Sequence, residues 1–151
     1  MDASYDVDSL QGTVGVVLRD SSGKFLAAGN NRAGDCMDVF MAEALALRFG
    51  MHLASSVGCT RVIVNSDSMD VITAKDGGIT SGSSAAILDD CFHMARDFTH
   101  VRFEHCHREA NSVADELARL CKFSLPNSWF DDAPIAIMPL LVKYDVLIAN
   151  K

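Results

Sequence analysis

The sequence predicts an α/β fold built around a five-stranded mixed sheet. Three observations lead there. A short apolar run rich in Val and Ile stands between turn residues at 61–65, and 13–19 and 101–106 read as further strands, the last by its alternation. Longer segments with apolar residues at helical spacing separate the later strands. The resulting order, β-β-β-α-β-α-α-β-α, places three strands close enough for an antiparallel meander, then two that follow helices and run parallel to the first.

Taken in order, 2–5 is a short polar opening, read as the remnant of a strand, and 6–12 a turn. Residues 13–19 (TVGVVLR) form a strand, 20–23 (DSSG) a tight turn, and 24–29 (KFLAAG) the returning arm of a hairpin. Residues 30–35 read as a polar loop. A long helix over 37–57 carries Phe40, Ala44, Leu47, Met51 and Ala54 on one face, and Gly58 suits its C-terminal cap. The run 61–65 (RVIVN) is a strand buried on both faces. A short helix at 68–75 stops at Gly77-Gly78, and a second, capped by Ser83 or Ser84, runs to about Arg96. Residues 101–106 alternate as a strand, and 108–122 form a helix with Ala110, Val113, Ala114, Leu117 and Ala118 on one face. We expect one domain over 1–126, with the tail from 127 to 151 packed on it.

The chain has 151 residues, 49% of them apolar, enough for a continuous core. No run is long and apolar enough to span a membrane, and there is no signal peptide, so the expected location is intracellular, nucleus or cytoplasm. Five cysteines are scattered without a CxxC pair, which fits a reducing compartment and argues against disulfides or structural zinc. A net charge of −7 disfavours general affinity for phosphate backbones.

Several polar residues stand where chemistry could sit. Asp67 ends the 61–65 run, and ligands gather beyond the carboxyl ends of such strands. It is either the N-cap of the next helix or a ligand in a site. Glu43, between Phe40 and Leu47, lies at the margin of a buried helix face; alternatively it reaches solvent or Arg48. Asp115 falls just outside the apolar face of its helix, so periodicity alone makes it solvent surface. His105 and His107 alternate on a strand, so only one can face inward. Ser4, Ser66 and Ser68 are ordinary turn and cap residues by themselves.

Together these motifs resemble the ribonuclease H family: Asp2-Ala3-Ser4; Gly15-Val16-Val17-Leu18-Arg19-Asp20; Ala42-Glu43-Ala44; Ser66-Asp67-Ser68; and Arg108-Glu109-Ala110-Asn111 leading into Ala114-Asp115-Glu116-Leu117-Ala118-Arg119. The pattern is most similar to the ribonuclease H-like domains of plant retroelement-derived proteins, and extends to about Val146. The resemblance implies helices on both sheet faces and four acids, Asp2, Glu43, Asp67 and Asp115, converging on two divalent cations, Mg²⁺ or Mn²⁺. It assigns Asp2 to bridge the two ions and His105, with His107 as the competing choice, to proton transfer or product release. Hard cations want such oxygen ligands, and two of them stabilise the attacking and leaving oxygens of an in-line phosphodiester displacement.

The implied activity is endonucleolytic cleavage of the RNA strand of RNA–DNA hybrids, with 2′-hydroxyls read by groups at 6–12, Glu43 and the 30–35 segment including Asn31, and phosphate met by Ser4, Ser66 or Ser68. Three features depart from the family pattern. Only Met1 precedes Asp2, which implies a trimmed domain or a loosely held metal site; Ala3 replaces the commoner Gly; and no basic segment separates Asp67 from Asp115, so hybrid binding is expected to be weak and salt-sensitive. The rival expectation is a domesticated, non-catalytic module that binds nucleic acid, or a protein through its apolar tail. Oligomeric state does not follow from the sequence.

Overall fold

A computed structural model of the chain describes residues 2–6, 11–35, 39–74, 83–108, 112–121, 123, 125–137 and 149–150; for 2–6, 11, 33–35, 83, 136 and 149–150 it describes the backbone only. Its strands are β1 (Asp2–Asp6), β2 (Gln11–Arg19), β3 (Phe25–Asp35), β4 (Arg61–Ser66), β5 (His100–His105), β6 (Asn127–Phe130) and β7 (Ala149–Asn150). Its helices are α1 (Val39–Ser56), α2 (Met69–Thr73), α3 (Ser83–Met94) and α4 (Ser112–Cys121).

The hairpin between β2 and β3 forms for the reason its sequence gives. Asp20 Oδ1 accepts hydrogen bonds from the Ser22 and Lys24 amides, each at 2.9 Å, and from Ser22 Oγ. Gly23 sits at φ 85°, in the left-handed region that suits glycine. These bonds hold the Asp20 carboxyl below its ordinary pKa, led by the one from Ser22 Oγ. The cap expected at Gly58 is also present. Cys59 N donates to Ala54 O at 3.0 Å and Gly58 N to Ser55 O at 3.1 Å, the paired bonds of a Schellman motif, with Gly58 at φ 78°.

β1, β2 and β3 form the expected antiparallel meander, and β4 and β5 pair in parallel from Arg61↔His100 to Ser66↔His105. The described hydrogen bonds divide the strands into two ladders, β1-β2-β3-β6 and β5-β4-β7. Beside Arg61 and Val62 the second edge of β4 is taken by Asn150 and Ala149 of β7. β6, which the sequence reading did not separate from the tail, lies along β3 from Ala27↔Phe130 to Asn30↔Asn127.

Two expectations are corrected. β4 is not buried on both faces: Val62, Val64 and Ser66 are buried, while Arg61 is exposed and Ile63 and Asn65 are half-buried. Residues 30–35 are not a polar loop; they continue β3, paired as far as Gln11↔Asp35. Asn31 and Arg32 are exposed, so this arm has no apolar alternation by which a strand is recognised. Its central polar residue, Asn30, is buried and fully engaged. Its Nδ2 donates to Leu117 O and its Oδ1 accepts from Asn127 N, both at 2.9 Å, so one side chain ties β3 to α4 and β6.

Two glycines show that helices cover both faces of the meander. A Cβ on Gly15 would lie 2.1 Å from Ala114 O and 2.6 Å from Ala118 N, so α4 rests directly on this point of β2. Val16, the next residue, points to the opposite face and meets Gly50 of α1. α1 also spans the two ladders. Leu47, Gly50 and Met51 of α1, Val16 and Leu18 of β2, and Val62 and Val64 of β4 line a small void of about 20 Å³. α1 buries Ala42, Ala44, Ala46 and Ala54, small residues that let its neighbours come close to its backbone. Ile137, beyond β6, is buried in the same core. Among the described residues no helix is long and apolar enough to cross a membrane.

Candidate active site at the carboxyl ends of the parallel strands

The fold brings a group of polar side chains to the carboxyl ends of β4 and β5. The parallel register sets His105 level with Ser66, so His105 lies beside the strand end that carries Asp67. The ladder is continued by Cys106 N donating to Ser66 O at 2.9 Å. The rings of His105 and His107 meet edge to face with centroids 6.1 Å apart, and both residues are exposed.

The two readings of Asp67 are separated by its neighbours. The cap of α2 is Ser68, whose Oγ accepts from Val71 N at 3.4 Å. Asp67 is therefore not the helix cap. Its side chain is 16% exposed and faces the Arg108 guanidinium, with Nε 3.6 Å from Oδ2. Arg108 was visible in the sequence only as part of a motif. A cation one short step beyond a strand, beside a strand-end carboxylate, was the available signal.

Glu43 lies on the inward side of α1, 5% exposed. Its Oε2 is buried and makes no hydrogen bond to a described residue, although the residue has other interactions in the chain. Burial of a carboxylate to this degree costs several kcal/mol unless charge or hydrogen bonds compensate it. Asp115 is in the first turn of α4 and exposed, as its periodicity indicated. For Asp2 only the backbone is described. Its Cα is paired with that of Gly15, the residue on which α4 rests beside Ala114, so the Asp2 backbone lies one strand away from the turn that holds Asp115.

The expected phosphate and hydroxyl contacts are more dispersed. Ser66 is fully buried and its Oγ accepts from Ser68 N at 3.1 Å, which turns it into the fold and away from any ligand. Ser68 is half-buried, with its hydroxyl engaged in the cap. Asn31 is exposed, with Oδ1 accepting from Arg32 N at 2.8 Å, and it lines an open cleft with Leu45, Arg48, His52, Asp90 and His93. The side chain of Ser4 falls outside the described residues. Among the described residues no three His, Cys, Asp or Glu side chains are gathered closely enough to hold a metal ion. The geometry thus brings Asp67, His105, His107 and Arg108 together and sets Glu43 and Asp115 on the helices that cover the two faces.

Residues 1–121 match a family profile described as reverse transcriptase-like. A protein of Arabidopsis thaliana named as a ribonuclease H protein is 30% identical over 132 residues, which cover 85% of this chain. The chain spans about a fifth of that relative's length, 21%. The fold is that of solved ribonucleases H. An RNase H1 from the archaeon Halobacterium salinarum superposes with a TM-score of 0.74 at 21% identity, over 81% of this chain and 93% of the other. An RNase H1 solved in complex with an RNA/DNA hybrid gives 0.73 at 21% identity, over 82% and 96%.

Proposed function

Because this chain belongs to the ribonuclease H family, we propose that it is a divalent-metal-dependent endonuclease that hydrolyses the RNA strand of RNA–DNA hybrids. The observation that carries the reading is the position of Asp67, half-buried at the carboxyl end of β4, excluded from the capping role and flanked by His105.

The donor set fits a hard cation. Glu43, Asp67 and Asp115 offer only carboxylate oxygens, as Asp2 does, and that is the chemistry Mg²⁺ and Mn²⁺ select. These four residues would hold two ions, with Asp2 shared between them. When bound, the ions supply charge stabilisation to the attacking and leaving oxygens of an in-line displacement. The chain's own groups do the rest. α1 holds Glu43 in a buried setting from which water is largely excluded, and this strengthens its pull on a positive charge. His105, exposed at the end of β5, is free of the core and serves to hand a proton to the leaving oxygen or to assist product release. Asn31 and Ser68 meet the nucleic acid through amide and hydroxyl, Ser4 does so from β1, and the inward-turned Ser66 acts by fixing Ser68.

Cleavage of a labelled RNA–DNA hybrid in Mg²⁺ tests the reading. Asp67→Asn is expected to lower the rate at least ~100-fold, the scale of losing one preorganised charge stabiliser. A parent protein that leaves the hybrid intact, or a variant as active as the parent, would sink it.

A second reading is favoured by the exposed apolar residues Phe123, Leu125, Phe130 and Ile135 that follow α4. In it the chain is a non-catalytic module that binds a protein or nucleic acid. Capture of a partner that survives Asp67→Asn, with no heat of Mg²⁺ binding by calorimetry, would establish it over the first.

A further inference from the structure

Arg108 has no part in the mechanism above, yet it is the cation that faces the candidate metal ligand Asp67. We propose that Arg108 is a displaceable counter-ion of Asp67. It neutralises the carboxylate while no metal is bound and competes with a divalent cation for it, so it raises the metal concentration needed for loading. The inference rests on the metal-dependent reading of the site.

The two partners are held very differently. Asp67 is 16% exposed and stands at a fixed strand end, its backbone pinned between the buried Ser66 and the Ser68 cap. The Arg108 side chain is 92% exposed, so packing does not hold it. Its backbone is tethered nearby, because Cys106 N bonds Ser66 O two residues earlier. The arginine can therefore swing away and return without rearrangement of the strands.

The contact itself is weak. Nε lies 3.6 Å from Oδ2, beyond hydrogen-bond range. Exposed ion pairs of this kind contribute little. A cation coordinated by Asp67 needs the oxygen at about 2.1 Å. A guanidinium left in its present place would then face a double positive charge at close range, and that repulsion favours its withdrawal.

The test is Mn²⁺ titration of the whole chain by calorimetry at ~0.15 M salt, where surface charges beyond ~8 Å are screened. The proteins are the parent, Arg108→Gln, Asp67→Asn and a control, Arg61→Gln. Arg61 is an exposed arginine at the opposite end of β4. Arg108→Gln is expected to bind Mn²⁺ about two- to five-fold more tightly than the parent, the factor that an exposed ion pair represents, and Arg61→Gln to match the parent. In parallel, ¹⁵N-labelled arginine should show the Arg108 Nε–H signal moving towards the free-arginine position as Mg²⁺ is added. Equal or weaker Mn²⁺ binding by Arg108→Gln, with binding by the parent that Asp67→Asn abolishes, overturns the counter-ion inference and leaves the metal site standing. An equal gain in Arg61→Gln overturns it in favour of a general charge effect. A parent that binds no Mn²⁺ overturns the metal reading and this inference with it.

Discussion

Gly15→Ala is expected to unseat α4 from β2. The added Cβ would lie 2.1 Å from Ala114 O, 2.6 Å from Ala118 N and 2.9 Å from Leu117 Cβ, more than an ångström short of ordinary contact at the first of these. Two of the three obstacles are backbone atoms, so no rotamer change relieves the clash and the helix must move as a body. Overpacking a core costs ~1–3 kcal/mol and occasionally more. Here the helix shift also stretches the bond from Asn30 Nδ2 to Leu117 O, worth ~1 kcal/mol. A loss of about 2–4 kcal/mol follows, or ~4–16 °C in Tm for a chain of this size. Gly50→Ala is the internal comparison. Its Cβ would meet Val16 Cγ1 at 3.3 Å, beside the void of about 20 Å³, while Ala is favoured over Gly inside a helix by ~1 kcal/mol. That variant should be neutral or stabilised by up to ~1 kcal/mol. Urea denaturation of the two variants reads both numbers. A Gly15→Ala protein within ~1 kcal/mol of the parent, or equal losses in the two variants, would refute the seating of α4 described above.

Asn30→Ala should cost ~1–3 kcal/mol, because it leaves Leu117 O and Asn127 N without the bonds Asn30 now provides; a change below ~0.5 kcal/mol by the same denaturation assay would mean water replaces them without penalty. Cys91 gives a pH prediction. Burial pushes its thiol up to about 12 from 9.0, so the folded chain keeps a proton that the unfolded chain releases. Its contribution is fully present below pH 9 and is lost as pH rises from about 9 towards 12, with a slope of up to ~1.4 kcal/mol per pH unit. Cys91→Ala should flatten the alkaline limb of the stability curve by that slope, and an unchanged limb in the variant would exclude the thiol as its source.

Where the sequence was legible, a local physical rule was strong enough to act alone. The DSSG turn and the Gly58 cap follow from the bonding of three or four neighbouring residues, and both stand where expected. The parallel pairing of β4 and β5 followed from an apolar run and an alternating segment separated by helices. The outer half of β3 was not legible because its strand character comes from partners distant in sequence. Asn30 is buried by α4 and β6, and nothing in its own neighbours announces that. β6 was missed for the same reason, since Asn127 and Ser128 are exposed and polar. At the site, the strand-end rule located Asp67, but only the observed cap on Ser68 separated its two readings. Ser66 was expected to face a phosphate, yet strand alternation alone would have turned it inward with Val62 and Val64. Arg108 escaped notice because an exposed arginine in a loop is ordinary until its carboxylate neighbour is located.

The distribution of the acids over the fold explains why no single segment could reveal the site. Asp67 and His105 belong to the β4–β5 ladder. Asp115 belongs to α4, which rests on Gly15 of the meander, and the Asp2 backbone is paired with that same glycine. Glu43 is on α1, the helix whose Leu47, Gly50 and Met51 line a small void together with residues of both ladders. On the proposed reading, the spacing of these acids depends on how α1 packs beside β2 and β4, where a small void remains. A cation held by acids from both halves would bridge the ladders and stabilise the fold by mass action. Without one, each acid needs its own local compensation, and Asp67 has Arg108. On this view the arginine belongs to the same economy of charge as the proposed cation: the carboxylate at the end of β4 is kept neutral by whichever positive group is present, and the exposed, weakly held one yields.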